Sequence, residues 1–226
     1  MLGEFIYNDR AHAGKVLAEY LMNQELHSPF ILALPRGGLP VAEEVAHLIK
    51  APMDVLVVRK IGAPFNPEYG IGAMCEDLIP LMSAESFFPT NHMEEDVKAT
   101  IQKEKKELVR RIQLFRHGRS LPDFKSRTVI VVDDGIATGV TAASAGKYLK
   151  SIGAKEVILA VPVGPRHLSE LVRNNFNEII CPYTPSGFSG VGNWYRDFRQ
   201  VSDEEVIAVL NKYYPHLPGE LYEASK

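Results

Sequence analysis

Val129-Ile-Val-Val-Asp-Asp-Gly-Ile-Ala-Thr-Gly-Val-Thr141 joins four β-branched apolar residues to two carboxylates, a segment of glycines and hydroxyls, and an alanine-rich helical pattern from Ala142. A short apolar run closed by polar and glycine signals reads as a strand buried on both faces, as in a parallel sheet. Residues 133–141 then read as a strand-to-helix turn. The first amides of a helix lack internal partners and together carry about half a positive charge, so such a turn suits a phosphate. Gly135 and Gly139 let the backbone come close to a ligand, and Thr138 and Thr141 can donate hydroxyl hydrogen bonds to phosphate oxygens. Asp133 and Asp134 would repel a phosphate, so they face sugar hydroxyls or a hard cation such as Mg²⁺. A grip on a phosphate beside a diol or a metal describes a ribose 5-phosphate site. An ordinary capped turn needs one carboxylate rather than two, and no pair of threonines.

Working outward, Phe30-Ile-Leu-Ala-Leu34 is a second apolar strand, running into Pro35-Arg36-Gly37-Gly38-Leu39-Pro40 and a helix from Val41 to Ile49. Two glycines beside an arginine suit a loop that wraps an anion with backbone amides and one fork-shaped cation. Asp54-Val-Leu-Val-Val58 reads as a third strand with Arg59-Lys60 at its carboxyl end. Open α/β sheets bind ligands at that end, so the two cations would meet the same anion, unless they merely close the strand in solvent. Which of Arg59 and Lys60 reaches the ligand is not legible. Beyond the central stretch, helix 142–150, strand Glu156–Val161, helix 166–174 and strand Glu178–Cys181 continue the rhythm. Five strands alternating with helices predict an α/β fold: a five-stranded parallel sheet with helices on both faces and right-handed crossovers.

Three stretches break the rhythm. Ile61 to Met82 holds three glycines, with Pro64 and Pro67, and predicts a loop whose Tyr69–Met74 and Leu78–Met82 segments form a hairpin about Cys75-Glu-Asp77. Gly70-Ile-Gly72 is no dinucleotide fingerprint, because the third glycine and the preceding strand are missing. Residues 92–117 predict a long helix with Val97, Ile101, Leu108, Ile112 and Phe115 as its apolar stripe, ended by Gly118 and Pro122. From Lys98 to Arg119 it carries eight Lys and Arg against Glu104 and Glu107, a charge run that is more often a solvated face than a contact for an acidic partner. In the tail, Tyr183, Phe188, Trp194, Tyr195 and Phe198 lie among prolines and glycines before a capping box at Ser202-Asp-Glu-Glu205. They predict a small aromatic lobe over the strand ends that packs on itself or offers a wall to a flat ring, while residues 3–9 read as a short extended piece.

Composition bounds the function classes. The chain has 226 residues, 46% of them hydrophobic, enough for one large core with an appended lobe. A net charge of −3 gives no global signal for nucleic acid. Cys75 and Cys181 lack metal spacing and read as reduced thiols of a cytoplasmic protein. No apolar run of membrane-spanning length and no signal peptide is expected.

The stretch 129–141 resembles the phosphoribosyl pyrophosphate (PRPP) motif of type I phosphoribosyltransferases: an apolar strand, two acidic residues and a loop ending in Thr-Gly-x-Thr. The resemblance extends over most of the chain, through Arg36-Gly-Gly-Leu-Pro-Val-Ala42, Val58-Arg-Lys-Ile-Gly62 and Asp133-Asp-Gly-Ile-Ala-Thr-Gly139. It implies a single domain over 1–226, with a core at about 28–182, a flexible flap at about 61–82 and a hood from 1–8 and about 183–226. It implies a Mg²⁺-dependent transferase that moves ribose 5-phosphate from PRPP to a nitrogenous, base-like acceptor with release of pyrophosphate. In that picture Asp133, Asp134, Arg36 and Lys60 are the catalytic candidates. Gly37, Gly38, Arg59 and Gly135, Ile136, Ala137, Thr138, Gly139, Val140 and Thr141 bind substrate, and Asp133 and Asp134 meet the metal. The 6-oxopurine salvage members carry a third aspartate where this chain has Ala137, and a lysine at the end of the strand corresponding to 156–161 that is absent here, so the resemblance implies no hypoxanthine or guanine substrate. The resemblance admits a homodimer, and it admits a non-catalytic alternative in which the same pocket senses PRPP or a nucleotide.

Overall fold

The computed structural model describes residues 6–83 and 91–214. In chain order, α1 (Arg10–Leu21), β1 (Phe30–Ala33), α2 (Gly38–Ile49) and β2 (Met53–Val55) are followed by β3 (Arg59–Ala63), β4 (Asn66–Met74) and β5 (Pro80–Met82). Then come α3 (Asn91–Arg116), β6 (Thr128–Val132), α4 (Val140–Ser151), β7 (Glu156–Ala160), α5 (Glu170–Arg173), β8 (Glu178–Ile180), a 3-10 turn at Val191–Trp194 and α6 (Asp203–Tyr213). The parts of the expected hood at 1–5 and 215–226 lie outside the described residues.

The five expected strands form one parallel sheet in the order β2-β1-β6-β7-β8. Side chains alternate across a strand, and the two faces separate accordingly. Ile31, Ala33, Ile130, Val132, Ile158 and Ala160 join Leu17, Val45, Leu108, Phe115 and Val206 in one core layer. Phe30, Leu32, Val129, Val131, Val157 and Leu159 join Ala143, Leu149, Val172 and Phe124 in the other. Helices α1, α2, α3 and α6 thus cover one face, and α4 and α5 the other. The helix expected at 92–117 is α3, and its stripe of Val97, Leu108 and Phe115 is buried, with Ile101 and Ile112 packed alongside.

Several boundaries move, two of them for a visible physical reason. The third expected strand stops at Val55 rather than at Val58. Leu56 still donates to the Ala33 carbonyl, but the Val57 amide is taken by the Glu76 carboxylate at 2.9 Å, so the ladder ends there. The chain then enters a second sheet, β3-β4-β5, which is antiparallel. It contains the expected hairpin and adds β3 to it. The helix expected at 166–174 shortens to α5, because Ser169 adopts extended backbone as its cap.

The ends of the 61–82 segment are anchored. Ile61, Ala63, Ile71 and Met74 sit in the main core, whereas Phe65 is 71% and Tyr69 45% exposed at the tip. The segment expected to form a flap thus has a buried base and an exposed tip. No described helix is long and apolar enough to cross a membrane.

Candidate active site

Register brings two loops together. Ala33 pairs with Val132, so the chain leaves β1 and β6 side by side at the carboxyl edge of the sheet. Leu34 donates to the Val132 carbonyl at 2.8 Å, and a Cβ on Gly38 would stand 2.6 Å from that same oxygen and 2.9 Å from Asp133 Cα. Glycine is required there because the two backbones touch. The Pro35–Arg36 peptide is cis.

The helices that start around these loops are capped in two ways. Asp9 and Ser202 cap α1 and α6 with side-chain oxygens. By contrast, Gly37 precedes α2 and Gly139 precedes α4, with no side-chain cap in either. At α2 the expected anion loop is closed on itself, the Gly38 amide donating to the Leu34 carbonyl at 3.0 Å and the Leu39 amide to the Arg36 carbonyl at 3.2 Å, so the helix start that favours an anion is that of α4. Gly139 holds φ at 76°, which side-chain-bearing residues rarely adopt, and this turns the amides of α4 toward the loop.

A cavity of about 270 Å³ lies over this turn. It gathers Lys60, Asp133, Gly135, Ile136, Ala137, Thr138, Gly139 and Thr141, with Gly70 and Val191 closing its sides. The Ile136 amide donates to the Val163 carbonyl at 2.9 Å, pinning the loop to the neighbouring strand end. Alternation along β3 separates the two basic candidates. Lys60 lies over Gly70 and lines the cavity, whereas Arg59 turns to α3, where its Nε and Nη2 reach Glu104 Oε2 at 2.8 and 2.6 Å.

Other expected site residues stand outside that cavity. Arg36 points to Asp203 Oδ1 at the start of α6, 3.5 Å away. Gly37 and Gly38 form the start of α2, Gly37 lying against the Asp134 carboxylate, and Val140 is buried in the first turn of α4. Asp133 Oδ1 accepts the Asp134 amide at 2.8 Å. Burial, and then the adjacent Asp134 charge, push the Asp133 carboxyl well above the usual carboxylate range. Burial also raises Asp134, opposed by Arg10.

Arg10 is not marked by its sequence context. It is the first residue of α1, yet its Nε and Nη2 lie 2.9 and 2.8 Å from Asp134 Oδ2. Its Nη1 donates to the Arg199 carbonyl at 2.7 Å, and its guanidinium stacks 3.9 Å from the Phe198 ring centre. One signal could have found it: a cation in the first turn opposes the helix dipole, and needs another reason to be there.

The tail aromatics pack on one another. Tyr7 and Tyr195 stand 5.4 Å apart, Tyr195 and Phe198 5.1 Å, and Tyr183 and Trp194 5.5 Å. Tyr7 and Tyr195 also bridge as backbone neighbours, so this lobe joins both ends of the described chain. Two hydroxyls tie it to the site: Tyr195 donates to the Asp134 carbonyl at 2.6 Å and Tyr7 to the Pro162 carbonyl at 2.9 Å.

The parallel sheet, with an uncapped helix start at the carboxyl end of β6, is an architecture shared with the phosphoribosyl transferases. Residues 6–192 match the phosphoribosyl transferase domain profile. The chain belongs to the phosphoribosyl transferase family. It is 42% identical over 207 residues, 92% of its length, to provisionally named phosphoribosyl transferases of two Mycobacterium tuberculosis strains. The match covers 47% of those relatives, so the chain spans about half their length. A crystal structure from Thermus thermophilus is similar at 35% identity and a TM-score of 0.75, covering 92% of this chain and 98% of that one.

Proposed function

We propose that this chain transfers ribose 5-phosphate from PRPP to a nitrogenous acceptor and releases pyrophosphate. The observation that carries the proposal is the cavity in which the uncapped start of α4, Asp133 and Lys60 meet. In this reading the loop from Gly135 to Thr141 takes the 5′-phosphate, and Asp133 and Asp134 take the ribose hydroxyls. Lys60, Arg36 and the Gly37 amide neutralise the leaving group. The bond from ribose C1 to a pyrophosphate oxygen breaks, and the acceptor nitrogen takes that position as it gives up a proton. Catalysis then rests on placement and on charge stabilisation of the departing pyrophosphate. Arg59 has a weaker claim, being engaged by Glu104.

Mg²⁺ is the proposed cofactor, and it would supply further neutralisation of pyrophosphate. Such ions take oxygen ligands, often one or two carboxylates with the remainder from substrate and water. Among the described residues no cluster of three or more His, Cys, Asp or Glu is gathered for a metal. Asp133, which lines the cavity, fits a cation whose other ligands come from substrate; Asp134 Oδ2 is already committed to Arg10. Two thiols without a disulfide, Cys75 and Cys181, support a cytoplasmic setting.

The sensing alternative draws on the basic helix. Arg110 and Arg111 pair with Glu107, Arg116 with Glu76 and Arg119 with Asp54, so much of that charge is used inside the molecule. The catalytic reading is tested by pyrophosphate release from PRPP and Mg²⁺ against purines, pyrimidines, ammonia and aromatic amines, with an acceptor-free control. Acceptor-dependent release supports transfer. Binding of PRPP without release for any acceptor supports sensing.

A further inference from the structure

We infer that Arg10 is a positioning residue for Asp134: it fixes that carboxylate beside the Gly37 loop and serves as its standing counter-ion, so that Asp134 meets the sugar rather than the metal. The inference rests on the PRPP reading of the pocket and adds a residue from outside the recognised motifs.

The geometry has three parts. Two guanidinium nitrogens converge on Oδ2 of Asp134, at 2.9 and 2.8 Å, leaving Oδ1 outside the ion pair. The guanidinium is itself held, by the Arg199 carbonyl at 2.7 Å and by the face of Phe198 at 3.9 Å. A fork fixed on three sides sets the carboxylate's direction as well as its charge. Finally, Oδ2 lies against Gly37, whose missing Cβ leaves the room it occupies. Asp134 is thereby oriented between the two ligand loops before any substrate arrives, with a side-chain exposure of 15% against 10% for Arg10.

The pair also divides labour between the two aspartates. A cation at Asp134 would have to share its carboxylate with a buried guanidinium of like charge, whereas Asp133 lines the cavity. A neutralised carboxylate remains a good hydrogen-bond acceptor for hydroxyls. Arg10 further links the aromatic lobe to the acid pair, since Phe198 and Arg199 lie in the tail segment and Arg10 opens α1.

The test is a double-mutant cycle on PRPP affinity, by calorimetry with Mg²⁺ present, using Arg10→Gln, Asp134→Asn and both together, with thermal midpoints measured in parallel. Arg10→Gln is expected to weaken PRPP binding by about 10- to 100-fold in the wild-type background and by less than about 3-fold on top of Asp134→Asn. Arg10→Lys, which keeps the charge and loses the fork, is expected to recover part of the affinity. Equal losses in both backgrounds, or Arg10→Gln leaving affinity unchanged, would overturn the inference and leave Arg10 a structural tie. Should Asp134→Asn bind too weakly to titrate, Arg10→Lys decides: affinity as poor as that of the glutamine variant, at an equal thermal midpoint, overturns it. Wild-type protein that binds no PRPP overturns the reading of the pocket, and this inference with it.

Discussion

The Tyr195 hydroxyl donates to the carbonyl oxygen of Asp134 at 2.6 Å. A side chain of the tail thus holds the backbone of the acid pair, and Tyr195 is almost wholly buried as it does so. Tyr195→Phe removes the donor and leaves the ring. It should cost about 1 kcal/mol, or about 2–4 °C in thermal midpoint, and it should reduce turnover more than the stability loss accounts for. Differential scanning calorimetry beside a pyrophosphate-release assay checks both.

Gly135 faces Val191. A Cβ at this glycine would fall 2.5 Å from Val191 Cγ1 and 3.0 Å from the Val163 carbonyl oxygen. Gly135→Ala should therefore destabilise by about 1–3 kcal/mol. Val191→Ala in the same chain should restore part of it, the rigid carbonyl retaining the rest. Thermal midpoints of the single and double variants measure the recovery.

Arg36 is assigned to the leaving pyrophosphate although it rests against Asp203. Arg36→Ala should lower kcat/KM for PRPP by about 100-fold, corresponding to about 3 kcal/mol of lost charge stabilisation. Affinity for ribose 5-phosphate, which has no pyrophosphate, should stay within about 2-fold of wild type by titration. Equal losses for both ligands would place Arg36 elsewhere.

Glu107 gives a pH signature away from the site. The hydrogen bond from Arg110, with a second from Arg111, pulls its carboxyl from 4.5 down to about 2. A lowered folded-state value contributes stability that is present above 4.5 and lost as pH falls through about 2. Glu107→Gln should therefore lower the thermal midpoint at neutral pH, flatten the acid limb in that window and converge with wild type at its acid end. An unchanged acid limb would place the sensitivity elsewhere.

Asp133 shows the conflict between stability and function. Burial and the neighbouring Asp134 charge disfavour its ionised form in the folded chain. Asp133→Asn should raise the thermal midpoint of the ligand-free protein at neutral pH by about 2–4 °C and abolish turnover. A lowered midpoint would show that the carboxylate is structurally required.

The parallel sheet was legible because its strands are apolar runs ending in ligand-like turns, and 129–141 announced both the strand and the uncapped helix start. The capping box at Ser202 and the stripe of α3 were legible for the same local reasons. Arg10, Asp203 and Tyr195 were not, since each acts on a loop far away in sequence and none has a local pattern that names its partner. The strand end at Val55 was hidden because Leu56, Val57 and Val58 are as apolar as the residues before them; a carboxylate 19 positions away from Val57 ends the ladder. Arg59 and Lys60 could be separated only by knowing that β3 starts there, which sends alternate side chains to opposite faces.

The central claim is that the turn from Asp133 to Thr141 holds PRPP by its ribose 5-phosphate end. Titration of PRPP with Mg²⁺ into wild-type protein and into Thr138→Val, with ribose 5-phosphate as competitor, tests it most directly. The account predicts saturable binding that ribose 5-phosphate displaces, weakened by about 10-fold or more in the variant as a charge-assisted hydrogen bond is lost. Binding that ribose 5-phosphate fails to displace, or that Thr138→Val leaves intact, would contradict it.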